Sequence, residues 1–264
     1  MQDIDVAPAR SGRNPVIGSW AEVNDYAPVL KWLLVNIVLA IGILALWAFG
    51  LIQQVLETDR THVSTIIAAI FVLTALHCLY QTWVTSRDLI VARRVRDQME
   101  TADAVPVLLP DGRVMVQGRE LEPGLISTYI GNLLRKASLG AGPFDQTILL
   151  RSLADRLRGR EKLGLFVSEG LLRLALLGTA IGFILMLIPL SGLTAFDAET
   201  LRGALTGMTS GMAIALNVTV IGIGAALVLK FEYFLLDTAI AELFEIITEA
   251  TEVGVIPRIG KAEG

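Results

Sequence analysis

Apolar and polar positions in this chain are segregated into blocks. Residues 32–52 read WLLVNIVLAIGILALWAFGLI, and residues 63–84 read VSTIIAAIFVLTALHCLYQTWV. Residues 174–196 read LALLGTAIGFILMLIPLSGLTAF, and residues 203–229 read GALTGMTSGMAIALNVTVIGIGAALVL. None of the four holds an Asp, Glu, Lys or Arg. About 20 apolar residues cross the hydrocarbon layer as helix. A charge at mid-span costs about 3 kcal/mol, so its absence from four blocks in a row fits lipid. The fourth block has 27 residues. That is about 40 Å of helix, enough to tilt or to project beyond the bilayer.

The polar stretches are patterned too. Residues 85–102 continue a helix out of the second block. Residues 105–121 (VPVLLPDGRVMVQGREL) place β-branched positions around Pro110-Asp111-Gly112, a hairpin turn signal. Residues 125–138 and 144–158 have helical apolar spacing, with Gly140-Ala141-Gly142-Pro143 breaking between them. Residues 231–252 form a last helix, its apolar face built from Leu235, Leu236, Ala239, Ile240, Leu243, Ile246, Ile247 and Ala250. The expected fold is an all-α integral membrane protein. It has four transmembrane helices, a cytoplasmic helical bundle and a small β-hairpin insert. Its parts are an N-terminal cytoplasmic segment (1–28), transmembrane helices 1 and 2 (29–85), a cytoplasmic domain (86–169), transmembrane helices 3 and 4 (170–230), and a cytoplasmic C-terminal helix and tail (231–264).

Composition agrees: hydrophobic residues are 53%, charged residues 18%, and mean hydropathy is +0.62. The net charge of −4 is too mild for a nucleic-acid partner. The one cysteine, Cys78, lies inside an apolar block, so an intrachain disulfide is excluded. The first block starts later than a secretory signal would and is expected to stay as a permanent helix. Basic residues set the orientation. Thirteen of the 22 Lys and Arg fall between residues 86 and 169, while the loops at 53–62 and 197–202 hold one each, Arg60 and Arg202. Both termini and the long connection are therefore expected on the cytoplasmic side. Trp32, Trp47, Tyr80 and Trp83 sit towards span ends, as an aromatic belt does. Two readings of the charges in the connection stay open. Either the basic stretch 151–162 packs against the acidic last helix, or each charged face is solvated.

The last two spans differ from the first two in chemistry. Gly207, Gly211, Ala215 and Thr219 recur every four residues in the fourth, and Gly222 and Ala226 continue the stripe. Gly178 and Gly182 repeat the spacing in the third. Small residues let helices approach closely in lipid, within one protomer or between copies. Thr179, Thr206, Thr209, Ser210, Asn217 and Thr219 add polar groups at membrane depth. One hydroxyl can satisfy itself on its own helix, but the set suggests a surface facing something other than lipid. The spans hold no carboxylate, so a proton carrier would have to come from a partner helix. His77 reads as a hydrogen-bonded or interfacial histidine rather than a relay. Pro189 should weaken or kink the outer half of the third span. No Walker motif, metal-ligand cluster or nucleophile with a base is present, so no enzyme, cofactor or metal site is expected.

Two motifs resemble the MotA/TolQ/ExbB proton-channel family. Leu176-Leu177-Gly178-Thr179-Ala180-Ile181-Gly182 is similar to the family's G-L-x-G-T-x-x-G core. Residues 211–222 (GMAIALNVTVIG) are similar to its G-x-x-x-A-L-x-x-T-x-x-G core. The four-span plan looks like MotA, and the threonine pair like TolQ and ExbB. Ile214 stands where ExbB has a glutamate. The resemblance implies a homopentamer in a bacterial inner membrane, around a dimeric single-span partner of the ExbD/TolR/MotB kind that carries an essential aspartate. H⁺ or Na⁺ would pass that aspartate beside Thr179 and Thr219, with Asn217, Gly182 and Gly222 along the path. Gly178, Gly207, Gly211 and Ala215 would pack the helices. Ion flow would drive mechanical work. The alternatives are a non-conducting membrane scaffold assembled through the small-residue stripes, and a secondary transporter. The transporter is disfavoured by the lack of an inverted repeat and of a charged substrate site.

Overall fold

The structure is a computed structural model that describes residues 27–50, 53, 62–101, 105–140, 145–191 and 198–262. The N-terminal segment before residue 27, most of both short loops, and residues 141–143 of the glycine-rich break lie outside the described residues. The elements in chain order are α1 (Ala27–Ala48), α2 (Val63–Thr101), β1 (Val107–Leu108), β2 (Val114–Val116), β3 (Arg119–Glu120), α3 (Leu125–Ser138), α4 (Thr147–Ser191), α5 (Ala198–Gly254) and α6 (Ile256–Ala262). Four of the helices, α1, α2, α4 and α5, are long and apolar enough to cross a membrane. The molecule is an all-α, multi-pass membrane protein by that measure.

Three of these helices do not stop where the apolar blocks stop. α2 runs for 39 residues, α4 for 45 and α5 for 57. Each passes from an apolar stretch into an amphipathic one without a break, because helix-forming residues continue while only the polarity changes. The separate helices expected within 144–158 and 174–196 are thus one element over Thr147–Ser191, and those expected at 203–229 and 231–252 are one over Ala198–Gly254; residues 144 and 192–196 lie outside the described residues.

α4 and α5 form the longest contact and run antiparallel. α2 packs mainly against α5. Past the ends of the apolar blocks, Leu236, Ala239, Ile240, Leu243, Ile246, Ile247 and Ala250 of α5 are buried, with Leu89, Val95 and Met99 of α2 and Leu153 and Leu157 of α4. Ion pairs cross between elements there. Arg160 of α4 reaches Asp88 at 2.7 Å and Thr85 at 2.9 Å on α2, and Arg93 of α2 reaches Glu242 of α5 at 2.5 Å. Of the basic stretch 151–162, Arg160 therefore turns to α2 for its partners, and the acidic helix takes Arg93.

A small antiparallel sheet, ordered β1-β2-β3, covers α3. Gly112 (φ 85°) closes the turn between β1 and β2. A second turn at Gln117-Gly118 has φ of 51° and 76°, the left-handed pair that joins adjacent strands most tightly. It adds a third strand to the hairpin expected at Asp111. Val114 and Val116 face inward, Val114 towards Gly131 of α3.

α1 is the outlier. Only Pro28 and Trp32 are buried, and most of its remaining apolar side chains are exposed, so it lies on the outside of the bundle.

Candidate functional site

The seam between α4 and α5 holds most of the residues singled out from the sequence. A methyl group added at Gly178 would meet Val218, at Gly182 the Ala215 backbone, at Gly211 the Met186 backbone and at Gly222 the Ala175 side chain. At Gly207 it would meet the Pro189 ring, 2.6 Å away. The stripe is therefore occupied inside one protomer, where each glycine accepts a neighbour that a Cβ would displace. Pro189 stays inside α4, and Gly207 makes room for its ring. The seam continues below the apolar blocks, where Tyr233 lies over Gly164.

Thr179 and Thr219 follow from the same register. Gly178 faces Val218, and the next residue on each helix turns by about 100°. In an antiparallel pair of right-handed helices both turns are towards the same flank. The two threonines thus sit at one level on one side of the seam, both half-buried. Each hydroxyl donates to its own helix: Thr179 to the Leu176 carbonyl at 2.6 Å, Thr219 to the Ala215 carbonyl at 2.9 Å. Each oxygen keeps lone pairs to accept a hydrogen bond from outside the chain. Asn217 turns the other way from Val218 and lies on the opposite flank, half-buried. Gly182 and Gly222 are buried in the seam itself.

A second polar site was not legible in the sequence. Glu232 is fully buried, although it lies three residues past the last apolar block. Asn36 of α1 donates its side-chain amide to Glu232 Oε1 at 3.0 Å and to the Trp32 carbonyl at 3.1 Å. Trp32 and Cys78 are buried nearby, within electrostatic reach of the carboxyl. Trp32 is thus a core residue rather than part of a lipid-facing aromatic belt. Next to Glu232, the Tyr233 hydroxyl lies 2.8 Å from His77 Nδ1 and 3.4 Å from the Thr74 carbonyl. Gln81 reaches the other His77 nitrogen at 3.4 Å. His77 is a hydrogen-bonded histidine tied to α5. Trp83 and Tyr80 do face outward, and the Arg87 guanidinium sits 5.3 Å over the Trp83 ring, a pairing suited to a membrane boundary.

No group of three His, Cys, Asp or Glu among the described residues could hold a metal ion. No family model matches the chain, and neither the curated proteins nor the solved structures contain a match.

Proposed function

We propose that this chain is the channel-forming subunit of an ion-driven motor of the MotA/TolQ/ExbB kind, in a bacterial inner membrane with both termini cytoplasmic. Five copies surround a dimeric single-span partner whose aspartate carries the ion. The observation behind this reading is the threonine pair. Thr179 and Thr219 lie level, on one flank of the α4–α5 seam, with accepting oxygens not consumed within the chain. Hydroxyls can solvate a proton or sodium ion without holding a permanent charge beside it. The motifs around both residues and the basic connection point the same way. Lipid covers α1 and the outer face of α2, and the transported ion is H⁺ or Na⁺.

The scaffold reading asks the small-residue stripes to join one copy to another. Those stripes are filled within a protomer, which leaves that reading without its surface. The test is Thr219→Val, which keeps the side chain's shape and removes the hydroxyl. Ion-dependent function should be lost while the assembly purifies unchanged. Full activity in this variant overturns the pore assignment.

A further inference from the structure

Glu232 is the one Asp, Glu, Lys, Arg or His fully withdrawn from solvent among the described residues. Its depth can be read from its neighbours. Asn36 is four residues inside the first apolar block, and Cys78 is six residues from the end of the second. At 1.5 Å per residue these are about 6 Å and about 9 Å inside the apolar layer. The carboxyl is folded back into that layer.

No Lys or Arg among the described residues pairs with it; Lys230, two residues earlier, is exposed. Oε1 accepts from Asn36; Oε2 is buried without a well-formed hydrogen bond, and the Trp32 indole N–H, also buried and unbonded, lies within reach of the carboxyl. The ionisable groups facing the carboxyl are Cys78 from α2 and Tyr233 on its own helix, with His77 behind the tyrosine. α1 brings only the neutral Trp32 and Asn36. Asn36 Nδ2 has two acceptors, the Trp32 carbonyl and Glu232, so its amide must point its N–H₂ at the carboxyl. A sodium ion needs several oxygen ligands, and the neighbours here offer N–H groups and a thiol. An ionised carboxylate without a cation, in an apolar layer, is the costly state; the neutral acid is not.

We propose that Glu232 is a proton-binding site belonging to this chain. One proton adds to the carboxylate to give a neutral acid under the cover of α1, and it leaves again as pH rises. The site is independent of the threonine pair and does not require the motor reading.

Infrared difference spectroscopy of the full chain in liposomes, between neutral and alkaline pH, tests it. A carboxylic-acid carbonyl band should vanish on alkalinisation and be absent from Glu232→Gln. The band should move in Asn36→Leu, where the hydrogen bond to Oε1 is gone. A spectrum in Glu232→Gln identical to the wild type, or a band that persists through alkaline pH, overturns the proposal. A second measurement needs no variant. Dicyclohexylcarbodiimide, an apolar reagent for protonated carboxyls, should modify Glu232 at neutral pH and not at alkaline pH, as mapped by mass spectrometry. Equal modification at both pH values also overturns it.

Discussion

At the scale of single residues, the α4–α5 seam depends on what its glycines lack. A Cβ at Gly211 would lie 2.5 Å from the Met186 backbone nitrogen, and one at Gly182 would lie 2.7 Å from the Ala215 backbone. A backbone cannot rotate aside as a side chain can. Gly211→Ala and Gly182→Ala should each destabilise the protein by about 1–3 kcal/mol, the usual cost of overpacking. Gly159 and Gly170 have open space around them. Alanine there should be neutral or stabilising by up to about 1 kcal/mol, from helix propensity. Thermal unfolding in detergent separates the two classes. Tyr129 makes a second residue-scale prediction. Burial first, and the nearby Glu252 charge second, push its phenol up to about 12. Because the folded value lies above the ordinary value of about 10, its contribution to stability is complete below that value and is lost as pH rises towards 12. Tyr129→Phe should flatten this alkaline loss, at a cost of about 1 kcal/mol at neutral pH for its hydrogen bond to Gln146. Phenolate absorbance should show Glu252→Gln moving the titration only slightly, because burial dominates. The glycines were legible because spacing alone marks them. Glu232 was not. It precedes a run of acids on a surface-like helix, and its partner Asn36 is 196 residues away in sequence.

At the scale of elements, polarity misled where helix propensity did not. The apolar blocks located all four membrane helices, because an uncharged run of that length has few other uses. The same blocks suggested ends that α4 and α5 do not have, since both carry on as amphipathic rods, as α2 was expected to do and does. The third strand was missed because Gln117-Gly118 is a weak turn signal until its backbone angles are known. What joins the rods outside the apolar layer is partly ionic. Arg160 and Asp88 are about four-fifths covered, with side chains 16% and 20% exposed, and Arg160 also donates to the buried Thr85. Arg160→Ala should cost about 2–3 kcal/mol, more than a surface pair, because it strands a half-buried carboxylate. A double-mutant cycle with Asp88→Ala should return a coupling of about 1–2 kcal/mol, and a coupling near zero would mean that Thr85 holds Arg160 alone.

At the scale of the whole molecule, the motor reading predicts stoichiometry. Native mass spectrometry in mild detergent should give a pentamer, or a 5:2 complex when a single-span partner is co-expressed. A monomer or dimer under the same conditions counts against it. The absence of breaks in the long helices then has a mechanical meaning. From the end of the fourth apolar block at Leu229 to the end of α5 at Gly254 there are 25 residues, or about 37 Å of unbroken helix. A tilt of about 5° in the membrane would swing the far end by about 3 Å. On the motor reading α5 is a lever arm, with α2 clamped to it through Arg93 and Glu242, and α4 tied to α2 through Arg160 and Asp88 so that the three rods resist bending together.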